Sequence, residues 1–100
     1  DTTAGWYGFA DDITRHHVRT YLSHGDKGIV WAMIEAIMES KARLCVFPAQ
    51  DILGLGTDAR MNTPGTDADN WSWRMTRQQM EAEGWERLGE LTRRHDRWLE

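Results

Sequence analysis

One hundred residues, 40% hydrophobic and 28% charged, make a globular balance for one small domain, and no tract is biased enough to argue for disorder. A net charge of −4 without a basic cluster argues against phosphate neutralisation, so a neutral or polar ligand is expected rather than nucleic acid. No apolar run approaches the ~20 residues of a membrane span, and the single cysteine, Cys45, excludes an intrachain disulfide framework, so no membrane partner and a cytoplasmic location are expected.

Asp1, Thr2 and Thr3 are residue types that accept hydrogen bonds from the free amides of a helix start, so a short helix or turn is expected before Phe9. Asp1-Thr2-Thr3 has neither a basic n-region nor an apolar run, so no signal peptide is expected, and the missing initiator Met suggests that sequence upstream is missing. Asp11 or Asp12 caps a second helix running to about Leu22, with Ile13, His17, Val18, Tyr21 and Leu22 at helical spacing. His24-Gly25 ends it. His16, His17 and His24 invite a metal reading, but residues 16 and 17 point about 100° apart on a helix and no Cys or carboxylate stands at a ligand offset. No metal site is expected.

Asp26 caps the third helix, whose Ile29, Val30, Met33, Ile34, Ile37 and Met38 form a wide apolar stripe opposite Glu35, Glu39 and Lys41. The run Leu44-Cys45-Val46-Phe47 is uninterruptedly apolar, as in a strand buried on both faces of a parallel sheet, and Pro48 stops it. Helix, short connection and strand are the second half of a βαβ unit, which makes the expected fold class α/β with one clear strand at about 44–47. A solitary parallel strand has two unpaired edges, so residues 1–100 are read as one segment of something larger.

The loop 48–74 is long, polar and Gly-rich, and such loops are uncommon unless they bind something. Thr63-Pro64-Gly65-Thr66 carries Pro and Gly at the central positions of a type II turn. Trp71 and Trp73 fall on one side of an extended stretch and are expected to anchor the loop. Thr76 to Gln79 is a capping box opening a last helix with Met80, Trp85, Leu88 and Leu91 inward. Gly84 marks close packing or a break, and Arg93 to Arg97 a solvated helix end.

The stretches PAQDILGLG, DARMNTPGT and NWSWR, at 48–56, 58–66 and 70–74, resemble the C-terminal signature of the 4-α-glucanotransferases, the amylomaltase or disproportionating-enzyme family. Asp1-Thr2-Thr3 before Gly5-Trp6-Tyr7 is similar to the end of that family's His-Asp-Asn-Asp-Thr stretch. The resemblance implies a (β/α)8 barrel of the α-amylase clan, with this chain supplying the last crossover, strand eight at 44–47, the active-face loop 48–74 and the closing helix. It also implies cofactor-free transfer of α-1,4-glucan segments to glucose or a maltooligosaccharide, by a retaining double displacement. Partners would be the glucan and the remainder of the barrel upstream.

Asp1 matches the later Asp of the His-Asp-Asn-Asp-Thr stretch, so the family's catalytic carboxylates are expected outside these residues and the segment alone is expected to be inactive. Substrate contact is expected at Asn62, with Thr63, Pro64, Gly65 and Gln50 beside it. An Asn amide both donates and accepts, which suits paired sugar hydroxyls, though Asn also bridges its own turn in many loops. Asp51 pairs with Arg60 or caps the Ile52 to Leu55 turn, and Arg60 and Arg74 brace the loop. The alternative to an enzyme segment is a non-catalytic helical carbohydrate-binding or interaction module.

Overall fold

The structure, a computed structural model, describes residues 1–98; the last two positions of the expected 1–100 segment lie outside them. Thr2 starts α1 (Thr3–Phe9): its Oγ1 accepts from the Gly5 N–H at 3.0 Å. Asp11 does the same for α2 (Asp12–Leu22), accepting from the Thr14 N–H at 2.7 Å. That helix ends at Ser23, whose φ of 51° is left-handed. α3 (Ile29–Glu39) follows Gly28, which takes a φ of 76° that a residue with a Cβ adopts only under strain.

Asp26, the expected cap of α3, does other work. Its carboxylate accepts from the Tyr7 hydroxyl and from Arg19 Nη1 at 2.8 Å, joining α1 and α2 to the entry of α3. Those two partners, Tyr7 first, hold the Asp26 carboxyl below the ordinary carboxylate range.

The described residues contain no strand, so the expected α/β class with a strand at 44–47 gives way to a helical architecture. Strand eight of the expected barrel is absent from them. A strand is completed by a neighbour's hydrogen bonds, and among the described residues no second extended segment pairs with this one. Burial within the run also alternates: Leu44 and Val46 are 78% and 79% exposed, while Cys45 and Phe47 are half-buried.

The core forms where α3, α4 (Ala49–Ile52) and the last helix α6 (Glu83–Arg94) meet: Ile34 and Met38, Ile52, and Leu91 are buried together. Val30, Trp31, Phe47, Trp85 and Leu88 pack around them. Met80, expected inward, is 60% exposed, because the expected single C-terminal helix is broken into α5 (Arg77–Met80) and α6. Thr76 and Gln79 do form the capping box that opens α5, and Trp85 Nε1 donates to Gln79 O at 2.8 Å, folding α6 back onto it. Arg97 is not purely solvated: it donates to Met38 O at 2.8 Å and Ser40 O at 3.0 Å, fastening the end of α6 to the end of α3. The radius of gyration, 14.7 Å, exceeds the roughly 13 Å of a compact domain this long, and Ile13, Tyr21 and Ile37 remain exposed.

Gly84 is the closest approach between α6 and α4. A Cβ there would lie 2.3 Å from Ile52 O and 3.2 Å from Ile52 Cγ2, and a backbone carbonyl inside a helix turn has little room to yield. Gly84→Ala should therefore destabilise the chain by about 1–3 kcal/mol despite alanine's better helix propensity. Chemical denaturation followed by tryptophan fluorescence measures this, and an unchanged or raised midpoint would contradict the packing described.

Candidate functional site

α4 carries three consecutive buried residues, Gln50, Asp51 and Ile52, and each faces a different part of the chain. Ile52 enters the core. Gln50 Nε2 donates to Ala59 O at 3.1 Å, fastening the 3-10 turn Thr57–Ala59 beneath the helix. Asp51, 7% exposed, accepts from the Thr3 N–H at 2.9 Å and the Thr3 hydroxyl at 2.6 Å. The sequence expectation that Asp51 pairs with Arg60 or caps the Ile52 to Leu55 turn is not met, because its carboxylate is taken up by Thr3.

These ties bring the N-terminal segment against the long loop. Asp1 Oδ2 accepts from Thr57 Oγ1 at 3.3 Å and lies 3.9 Å from Arg60 Nη1. Arg60 Nε donates to Asn62 O at 3.0 Å, a loop brace. Gly5 lets α1 sit close here, since a Cβ on it would lie 2.4 Å from Thr57 Oγ1 and 2.5 Å from Asp1 Oδ1. Between the two segments lies a cavity of about 270 Å³, with Asp1, Gln50, Arg60, Met61, Asn62 and Pro64 in its walls.

The turn beyond it is built as its sequence dictates. Thr66 N donates to Thr63 O at 3.2 Å across Pro64-Gly65, and Gly65 has the φ of 82° that a type II turn requires. Asn70 holds the turn shut: its Oδ1 accepts from the Thr63 N–H at 2.8 Å and its Nδ2 donates to Thr66 O at 3.2 Å. Arg74 Nη1 donates to Trp71 O at 3.1 Å and Trp73 O at 3.0 Å, while the Trp71 ring is largely exposed. Asn62 is exposed, and among the described residues its side chain has no hydrogen-bond partner.

The structure thus brings Gln50, Asn62 and Pro64 into one cavity and leaves Thr63 and Gly65 in the same turn but outside its walls. Sequence reasoning did not place Asp1, Arg60 and Met61 there, nor find the brace at Asn70. Asn70 offered a signal, as a short amide a few residues past a Pro-Gly turn. Asp1 offered its match to the His-Asp-Asn-Asp-Thr stretch, but only the fold joins it to the loop.

A larger groove of about 870 Å³ runs between α3 and α6, but its walls set Lys27, Arg87 and Arg94 against Glu35, Glu39 and Glu90. Two of those cations are already engaged: Arg94 contacts Glu35 at 3.3 Å, and Arg87 stacks 4.6 Å from the Trp31 ring centre. Glu35, Glu39 and His95 bring their ligating atoms within 4.8 Å of one another, but the Glu35 carboxylate is already paired with Arg94 at 3.3 Å, and His95 Nε2 lies 3.6 Å from it, beyond hydrogen-bond distance. Among the described residues no helix is long and apolar enough to cross a membrane.

A profile of the 4-alpha-glucanotransferase family matches residues 1–80. The 4-alpha-glucanotransferase of Synechocystis sp. is 48% identical over 75 residues, covering 74% of this chain and 15% of that protein. That of Thermus thermophilus is 41% identical over 81 residues, covering 75% and 16%. The Streptococcus pneumoniae serotype 4 enzyme is 37% identical over 94 residues, covering 92% and 19%. The chain therefore spans less than a fifth of the length of these relatives. Its fold is similar to that of an amylomaltase from Streptococcus agalactiae solved in complex with acarbose, with a TM-score of 0.90 at 22% identity over 98% of this chain and 20% of that one.

Replacing Gln50 tests how the cavity is held. Gln50→Ala removes the buried partner of Ala59 O, and an orphaned buried carbonyl costs about 1–3 kcal/mol. Urea denaturation should show that loss, and a variant as stable as the parent would mean that the 3-10 turn is held by other contacts.

Proposed function

The chain belongs to the 4-alpha-glucanotransferase family, and from that premise we propose that it is one segment of an enzyme that transfers α-1,4-glucan pieces to glucose or a maltooligosaccharide acceptor. The transfer is a retaining double displacement, cofactor-free and cytoplasmic. One carboxylate attacks the anomeric carbon, and another protonates the leaving oxygen and then deprotonates the acceptor hydroxyl. We assign those groups, and the carboxylate that steadies the transition state, to the rest of the enzyme.

The segment binds and orients the acceptor. This rests on one observation: the cavity in which Gln50, Asn62 and Pro64 of the loop meet Asp1 and Arg60. Asn62 presents an amide with no described intramolecular partner, able to donate to one sugar hydroxyl and accept from its neighbour. Thr63, Pro64 and Gly65 form the turn that holds it, and Gln50 keeps its Oε1 for the ligand while its Nε2 holds Ala59. The remainder of the enzyme covers Leu44, Val46 and the other exposed apolar side chains.

In the complete enzyme, Asn62→Ala should cost about 1–3 kcal/mol of transfer efficiency, with the melting temperature nearly unchanged. Rates with a short and a long acceptor, measured beside thermal stability, decide the matter: an unchanged acceptor profile with a clearly lower melting temperature would make Asn62 a structural residue. The 100-residue chain incubated alone with maltotriose should yield no longer oligosaccharide, and any such product would overturn the assignment of the chemistry to the rest of the enzyme. A complete protein that binds maltooligosaccharides without rearranging them would favour a binding module instead.

A further inference from the structure

We propose that Asp51 is a positioning residue for the acceptor cavity: its buried carboxylate, which does not line that cavity, sets the place of the N-terminal wall by gripping Thr3. The proposal deepens the acceptor-binding role above and rests on it.

Both Asp51 oxygens serve one residue 48 positions away, Oδ1 taking the Thr3 N–H and Oδ2 the Thr3 hydroxyl. Two bonds to one residue fix an orientation as well as a distance. Thr3 is the first residue of α1, and the two residues before it are tied to the same point: Thr2 Oγ1 accepts from the Gly5 N–H, and Asp1 Oδ1 accepts from the Thr2 N–H at 2.7 Å. A shift of Thr3 therefore carries Asp1 with it. Asp1 lines the cavity, and so does Gln50, the immediate neighbour of Asp51 on α4. Among the described residues these two Asp51 bonds are the side-chain hydrogen bonds from α4 to residues 1–3. The Asp1 contacts to Thr57 and Arg60, at 3.3 and 3.9 Å, are longer and come from the loop.

Helix capping alone does not account for the second bond. Thr2 already caps α1, and the Thr3 N–H needs one acceptor, whereas the 2.6 Å bond to the Thr3 hydroxyl adds nothing to the helix start. It adds orientation.

Three variants of the complete enzyme test this, each measured for acceptor KM, kcat and melting temperature. Asp51→Ala should lower kcat/KM by about tenfold or more at a temperature where the protein is folded, mostly through acceptor KM, because the displaced wall binds acceptor hydroxyls and touches no reacting bond. Asp51→Asn should stay within about threefold of the parent, since its amide oxygen can accept from the Thr3 N–H while its NH2 donates to the Thr3 hydroxyl. Thr3→Val should fall between them. If Asp51→Ala does not fold, Thr3→Val carries the test, because it keeps one of the two bonds. A lowered melting temperature with unchanged acceptor KM in both Asp51→Ala and Thr3→Val would reduce Asp51 to a helix-start contact and overturn the proposal. Asp51→Asn as damaging as Asp51→Ala would also overturn it, by showing that charge rather than positioning matters. A parent enzyme with no glucan transfer would remove the proposed function and this assignment together, whereas an active parent with indifferent variants removes this one alone.

Discussion

Four residues, Ala49 to Ile52, hold the molecule together by burying three side chains in succession. A helix normally buries one stripe and leaves the rest to solvent. Here Ile52 fills the core against Leu91, Asp51 grips the start of α1, and Gln50 holds the turn beneath. Ile52 also offers its carbonyl as the surface on which Gly84 lies. A four-residue helix has too few internal hydrogen bonds to persist alone, so it exists because its neighbours enclose it, and they keep their places because it is there.

The site depends on the same element. Loops that bind ligands work when a stiff scaffold presents them, because disorder in the free state must be removed on binding. The turn Thr63 to Thr66 is closed by its own backbone and by Asn70, Arg74 braces the stretch after it, and Gln50 and Arg60 secure its approach. The amide of Asn62 stands at the edge of this brace without a described partner of its own. Under the proposed function, this is the amide that meets the sugar.

Much of this was legible in the sequence where the signal is local. Thr76 was readable as a helix start, and the starts of α1 and α2 were narrowed to Asp1–Thr3 and to Asp11 or Asp12, because a cap needs only its own next three residues. The turn at Pro64-Gly65 follows from two residue types, and the PAQDILGLG, DARMNTPGT and NWSWR stretches pointed to the family that the comparison then supported. What failed were inferences that need a partner distant in sequence. Leu44 to Phe47 has a strand's composition, but strand character is conferred by a neighbour, and here none is present among the described residues. Asp26 and Asp51 look alike in sequence to any Asp near a helix start, and only the fold gives them Tyr7 and Thr3 as partners. Met80 fits the last helix's apolar period, yet the break before Glu83 turns it outward.

Residues 1–3 and the loop around Asn62, far apart in sequence, are proposed to form one wall that binds a sugar. A crystal structure of the complete enzyme with a maltooligosaccharide bound tests it most directly. Sugar hydroxyls should lie within hydrogen-bonding distance of the Asn62 amide, in the cavity bounded by Asp1, Gln50 and Arg60, with the Asp51–Thr3 bonds intact. A glucan seated elsewhere on the enzyme, with this cavity closed to it by the surrounding protein, would contradict it.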